Sequence, residues 1–207
     1  MKKIVIIDYG VGNVFSVYNA IKYLGYSNVK ITYDEKDIFS SDALILPGVG
    51  AFDEAMKNIT ERKLDKILHE NVLINKKPIL GVCVGMQILS EGSDENGWHK
   101  GLGWIPGKVK KLELTQNLAV PHVGWNNLVI TNKSNLYLNQ SNSNPHFYFD
   151  HSYYFETEDK YVSSYCDYGI KICASVQNDN IYGVQFHPEK SQNNGLKLFR
   201  SFLNSVK

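Results

Sequence analysis

Apolar residues first come as short unbroken runs and later as broken, alternating ones, with the change near Gly97. Residues 4–7 are a continuous β-rich run, the pattern of a strand buried on both faces of a parallel sheet. Val14, Val17, Tyr18, Ile21 and Leu24 then recur at helical spacing, with Asn13 placed as N-cap and Gly25 just past the end. Residues 29–33 and 43–46 predict a second and a third strand, the latter running into Pro47-Gly48-Val49-Gly50. Leu64, Ile67 and Leu68 mark a further helix, and residues 79–82 a fourth strand. Such alternation predicts βαβ units and a mostly parallel central sheet flanked by helices.

Beyond Gly97, Gly, Pro and Asn punctuate short stretches rich in Val, Tyr, Phe and Ile. Residues 109–114, 128–131, 147–155, 171–177 and 181–186 are strand candidates, several close enough to pair as hairpins. Leu196, Phe199, Phe202 and Leu203 return to a helical period. With no repeat, low-complexity tract or linker, the expectation is one α/β domain over residues 1–207 with a β-rich second half.

Composition narrows the function classes. Of the 207 residues 43% are hydrophobic and 21% charged, which fits a folded soluble chain and argues against long disorder. The 22 Lys+Arg against 21 Asp+Glu leave a net charge of +1, so no positive field favours nucleic acid. Asp8 interrupts the N-terminal apolar run before it reaches signal-peptide length. No apolar run reaches the about 18 residues of a membrane span, and the expected compartment is the cytoplasm. Cys83, Cys166 and Cys173 lack CxxC spacing, so neither a disulfide scaffold nor a zinc or other metal site is expected.

The sharpest chemical signal is Gly81-Val82-Cys83-Val84-Gly85-Met86-Gln87, between an apolar strand and the helical segment expected to run on through Ile88 and Leu89. A residue on such a strand-to-helix turn projects above the sheet edge, as in a nucleophile elbow. A helix N-terminus there favours thiolate, and the Val84 N–H would face a developing oxyanion. A buried structural cysteine fits the motif alone equally well. A second constellation is Gln185-Phe186-His187-Pro188-Glu189. On an extended chain His187 and Glu189 point to the same side, so a carboxylate could orient an imidazole that takes a proton from the thiol. Pro47-Gly48-Val49-Gly50 would line the crevice at the carboxyl end of the neighbouring strand and offer further N–H donors. His69 and His99 read as solvated, His122 and His151 as structural histidines in aromatic-rich strands.

The elbow and the distant His-Pro-Glu resemble the class I glutamine amidotransferases. Asp8-Tyr9-Gly10-Val11-Gly12-Asn13, the 47–50 loop, Gly101-Leu102-Gly103-Trp104-Ile105-Pro106-Gly107, Pro121-His122-Val123-Gly124-Trp125-Asn126 and His151-Ser152-Tyr153-Tyr154 resemble the branch that supplies ammonia to imidazole glycerol phosphate synthases. The resemblance implies Cys83 as nucleophile, His187 as general base then acid, and Glu189 as its orienting group. It implies an oxyanion hole from the N–H groups of Val49 and Val84, in a loop with Gly48 and Gly50 whose peptide changes orientation when a partner engages. Gln87, Glu95, Ser152 and Tyr153 would bind L-glutamine. Asn13, Trp125, Tyr148 and Lys190 would face the partner or the ammonia route, and Asp150 stands where an apolar residue is more usual. The implied partner is a (β/α)8 barrel cyclase in a heterodimer, with no cofactor. Alternatives left open are a paralogous glutaminase feeding amidino-sugar synthesis, a non-catalytic module on the same fold, and a cysteine peptidase.

Overall fold

A computed structural model describes residues 2–114, 118–131, 134–140 and 144–206. Its first half alternates strands and helices: β1 (Ile4–Ile7), α1 (Val14–Tyr23), β2 (Val29–Thr32), α2 (Glu35–Phe39), β3 (Ala43–Gly48), α3 (Phe52–Glu61), α4 (Leu64–His69), a π-helical turn (Glu70–Ile74), β4 (Ile79–Cys83) and α5 (Val84–Gln87). The second half is strand-rich: β5 (Gly92–Ser93), β6 (His99–Lys100), β7 (Lys108–Lys111), β8 (His122–Asn127), β9 (Val129–Ile130), β10 (His146–His151), β11 (Tyr153–Glu156), β12 (Val162–Asp167), β13 (Lys171–Asn178), β14 (Ile181–Val184) and the closing helix α6 (Gln192–Ser205).

An eight-stranded sheet in the order β2-β1-β3-β4-β14-β13-β12-β9 organises the chain. β2, β1, β3, β4 and β14 run parallel, and β13, β12 and β9 continue the sheet antiparallel. The unbroken apolar run of β1 is wholly buried, as a strand covered on both faces must be. Each such Ile contributes about 1.5–3 kcal/mol relative to an exposed one. A β8–β10 ribbon and a four-stranded sheet, β11-β7-β5-β6, stand beside it. Among the described residues no helix is long and apolar enough to cross a membrane.

Four local expectations are corrected. Asn13 takes the N-cap position of α1, but its side chain makes no capping bond. The helix after Cys83 does not reach Ile88 and Leu89, because their carbonyls are taken from outside. Ile88 O accepts from Leu102 N (2.8 Å), Leu89 O from Trp104 N (2.9 Å), and Ser90 O from Gly103 N (2.8 Å). The 147–155 segment is two strands, since β10 pairs with β8 and β11 with β7, and the chain changes sheets at Ser152. His187 and Glu189 do not lie on an extended strand either: Pro188–Lys190 is a single 3-10 turn, begun by the fixed φ of Pro188.

Candidate active site

Cys83 ends β4 at φ 54°, ψ −112°, a conformation L-residues avoid and one that costs on the order of 1–3 kcal/mol. Two glycines make the turn possible. A Cβ on Gly85 would lie 1.8 Å from the carbonyl oxygen of Leu46 on β3, and one on Gly81 would lie 2.4 Å from that of Gly85. The elbow therefore packs backbone to backbone against β3, whose Gly48 is in register with Cys83. Val84 is the first residue of α5, so its N–H lacks an intrahelical partner. α5 is one turn long, so the macrodipole expected to act on the thiol is correspondingly small.

His187 follows β14 and is pinned through its backbone. Its N–H donates to Tyr148 O (2.8 Å), and its carbonyl accepts from Ser191 Oγ (2.6 Å), which in turn accepts from Tyr148 N (3.0 Å). The imidazole Nδ1 lies 2.8 Å from Glu189 Oε1. A carboxylate only accepts, so the proton sits on Nδ1 and Nε2 is the ring nitrogen that Glu189 leaves unengaged, in a residue that lines the same cavity as Cys83. Burial works against the imidazolium, but Cys83 and Glu189 outweigh it and push His187 up to about 10. Glu189 Oε2 is buried and has no hydrogen-bond partner among the described residues.

Cys83 and His187 open onto a cavity of about 230 Å³, with Val49, Gly50 and Val84 in its wall. Gln87, Glu95, Ser152 and Tyr153 line the same cavity. This is smaller than the roughly 300–1,000 Å³ of drug-sized sites and suits a small metabolite. Gln87 Nε2 donates to Tyr153 O (3.0 Å) and to Gln185 Oε1 (3.1 Å), and no protein donor reaches Gln87 Oε1 among the described residues. Glu95 accepts from Phe52 N (2.9 Å), and burial raises its carboxyl. Gly48 stands behind this wall and Glu189 behind His187, neither lining the cavity.

The residues expected at a partner surface lie outside the cavity. Trp125 and Tyr148 are opposite each other in the β8–β10 ribbon, their rings edge to face. The Lys190 ammonium sits over Tyr148 and 3.7 Å from Asp150. Asn13 opens α1, which packs against the Pro188–Lys190 turn.

Two residues at the site escaped sequence reasoning, one in the cavity wall and one behind it. His151, read as structural, lines the cavity together with Asp150 and also bonds to His122 (3.0 Å). Gln185 is fully buried beside Cys83; its signal was a polar residue following a wholly apolar strand. Cys166 and Cys173 are buried and free, burial pushing the first thiol up to about 12 and the second higher still. Among the described residues no group of three or more His, Cys, Asp or Glu could hold a metal ion.

The family model described as glutamine amidotransferase class-I matches residues 5–206. The chain is 49% identical to the Vibrio vulnificus protein "Imidazole glycerol phosphate synthase subunit HisH 2" over 205 residues, 99% of this chain and 95% of that one. It is 48% identical to the HisH 1 subunit of Campylobacter jejuni (96% of this chain, 98% of the other). Against the Leptospira interrogans HisH subunit the identity is 46% (95% and 97%). The fold is similar to that of PurLQS from Thermotoga maritima, with TM-score 0.75, 20% identity and full coverage of both chains. It is also similar to a crystal structure of a glutamine amidotransferase, with TM-score 0.74, 19% identity and 97% of each chain.

Proposed function

The chain belongs to the class I glutamine amidotransferase family, and from that premise we propose that it is the glutaminase subunit of an imidazole glycerol phosphate synthase. It acts as one domain over residues 1–207, hydrolyses L-glutamine to glutamate, and passes the ammonia to a cyclase subunit for histidine biosynthesis. The observation that carries the reading is near end-to-end similarity to HisH subunits at up to 49% identity, in a chain whose Cys83 and His187 share one small cavity.

Cys83 gives its proton to His187 Nε2, and the sulfur attacks the side-chain amide carbon of glutamine. The resulting oxyanion is met by the N–H groups of Val49 and Val84. Glu189 holds Nδ1–H throughout, and the 2.8 Å contact supports that role. His187 then protonates the leaving nitrogen, the C–N bond breaks, and ammonia departs from a thioester. Water, deprotonated by His187, attacks the thioester and releases glutamate, and the proton returns to Cys83. The substrate is oriented by Gln87, Glu95, Ser152 and Tyr153. The free Oε1 of Gln87 supports an amino-group contact, and the Glu95 carboxylate supports a second.

Ammonia is mostly protonated and unreactive in water at neutral pH, so the acceptor site must be reached without release to solvent. The partner is a (β/α)8 barrel cyclase docked on the face carrying Asn13, Trp125, Tyr148 and Lys190. The compartment is the cytoplasm; three unpaired cysteines suit its reducing conditions.

The Asp150–Lys190 contact supports a second reading. An acidic residue of the chain itself engages the lysine expected to face the cyclase, as would suit a glutaminase serving another amidotransferase, such as one making amidino-sugars. Both readings keep the glutaminase chemistry. In the reconstituted complex, Cys83→Ala abolishes glutamate release; hydrolysis that survives the substitution overturns the nucleophile assignment. Deleting the gene separates the customers, since loss of growth without histidine requires the first reading and unimpaired growth requires the second.

A further inference from the structure

Gln185 leaves β14 two residues before His187 and has no exposed surface. The direction of its carboxamide follows from an atom that can only accept. Tyr153 O receives His151 Nδ1 (2.8 Å) and Gln87 Nε2 (3.0 Å), so His151 carries its proton on Nδ1 and Gln87 turns its NH2 toward this carbonyl. The same NH2 group lies 3.1 Å from Gln185, whose facing atom must therefore be Oε1. The reversed amide would set two NH2 groups against each other. Gln185 Nε2 is then aimed at Cys83 Sγ, 3.7 Å away, a hydrogen-bonding distance for the larger sulfur atom.

The other arm from Tyr153 O is fixed in the same way. With its proton on Nδ1, His151 accepts at Nε2 from His122 Nδ1–H (3.0 Å), and His122 Nε2 accepts from Asn126 Nδ2 (3.3 Å). Asn126 Nδ2 also donates to Asp167 O (2.8 Å). Two arms of directed hydrogen bonds, one from Asn126 on β8 and one linking Gln87, Gln185 and Cys83, thus meet at Tyr153 O, and within each arm no link can reverse without breaking its neighbour.

We propose that Gln185 is a further catalytic residue, whose carboxamide donates a hydrogen bond to the Cys83 sulfur and favours thiolate over thiol. Its catalytic meaning rests on the assignment of Cys83 as nucleophile. A thiolate accepts such a bond more strongly than a thiol, so the donor is worth most in the attacking form. His187 lines the same cavity as Cys83 and is its proton acceptor in the proposed reaction, and Asp150 O is a weaker contact at 3.9 Å. The other ionisable neighbours are Glu189 behind His187, Tyr9 at the end of β1, His151 and Glu95 in the cavity wall, and Lys190 on Asp150.

The test is the pH dependence of Cys83 alkylation by iodoacetamide in the full chain, read by mass mapping of the Cys83 peptide, for the unsubstituted chain, Gln185→Glu and Gln185→Met. Gln185→Glu keeps the shape and puts an acceptor against the sulfur. Its midpoint is expected to rise by about one pH unit or more, with about tenfold slower alkylation near neutrality. Gln185→Met removes the donor without adding a charge, at the cost of the Oε1 that accepts from Gln87, and moves the midpoint the same way by less, a few-fold in rate. A purely structural Gln185 would lower unfolding stability and leave the Gln185→Met midpoint unmoved, whereas the charge of Gln185→Glu acts on the sulfur in either case. An unchanged Gln185→Met midpoint in a chain that circular dichroism shows folded overturns the proposal, and Gln185→Met carries the test alone if Gln185→Glu does not fold. Alkylation needs neither glutamine nor partner. A shifted midpoint in a chain without glutaminase activity would therefore sink the functional reading and leave the hydrogen bond standing.

Discussion

Two buried histidine sites, one just after β14 and one in the β8–β10 ribbon, favour opposite charge states. His187, His122 and His151 are 1%, 2% and 5% exposed, so depth does not separate them. What separates them is the group that ends each hydrogen-bonded chain. His187 ends on the Glu189 carboxylate and has Cys83 on its other side, which together outweigh burial and favour imidazolium. The His122–His151 pair ends on a carbonyl, Tyr153 O. With no anion to offset it, burial pulls His122 down to about 4 and His151 to about 3. The reactive site is built to exchange a proton and the ribbon site to refuse one, while the direction of the bonds toward Cys83 is set by Tyr153 O, which can only accept.

The largest effect should follow from making the two sites alike. Glu189→Gln keeps an acceptor for Nδ1–H but removes the charge. The turnover number should fall by about 10²–10⁴-fold with little change in KM, as expected for loss of an orienting carboxylate. Steady-state glutamate release measures this. Breaking the ribbon site comes next. His151→Phe leaves His122 Nδ1–H without its acceptor and takes one of two donors from Tyr153 O. Urea unfolding should show a loss of about 1–3 kcal/mol.

The pH dependence of stability sharpens the contrast further. His187 has a raised value, so between about 6.5 and about 10 the folded chain holds more protons than the unfolded one. Its contribution is complete below that window and is lost as pH rises through it. For His122 and His151 the unfolded chain holds more protons between about 6.5 and their lowered values, so stability falls as pH drops through that window. Urea midpoints should decline on both sides. Glu189→Gln should flatten the alkaline limb and His151→Phe the acid limb. The smallest effect belongs to Asp150→Ala, which removes a partly exposed ion pair and should change the stability of the free chain by less than about 1 kcal/mol.

Legibility in the sequence follows the same division. β1, β3 and β4 are wholly buried, and their unbroken apolar runs announce them. α3 went unseen because only Phe52, Ala55 and Ile59 of its ten residues are buried in an otherwise polar string. β12 reads as polar, yet its buried Ser164 is satisfied by Tyr137 Oη (2.8 Å) and Ser175 Oγ (2.7 Å). β8, read as a strand only through the aromatic residues around His122, inverts the usual pattern by burying His122 and exposing Val123 and Trp125. In the site, Cys83 and His187 were legible because glycines and a proline mark their turns. The Gln185 contact was not, since it depends on the position of Gln87, 98 residues away in sequence.

In the proposed function the Cys83 sulfur, which shares its cavity with His187, is the atom that takes the glutamyl group. The most direct test treats the complex with its co-purifying partner with a chloroketone analogue of glutamine and maps the adduct by mass spectrometry. A single adduct is expected, on Cys83, suppressed by excess glutamine and absent in Cys83→Ala. Label on Cys166 or Cys173, or labelling of Cys83 that glutamine does not suppress, would contradict it.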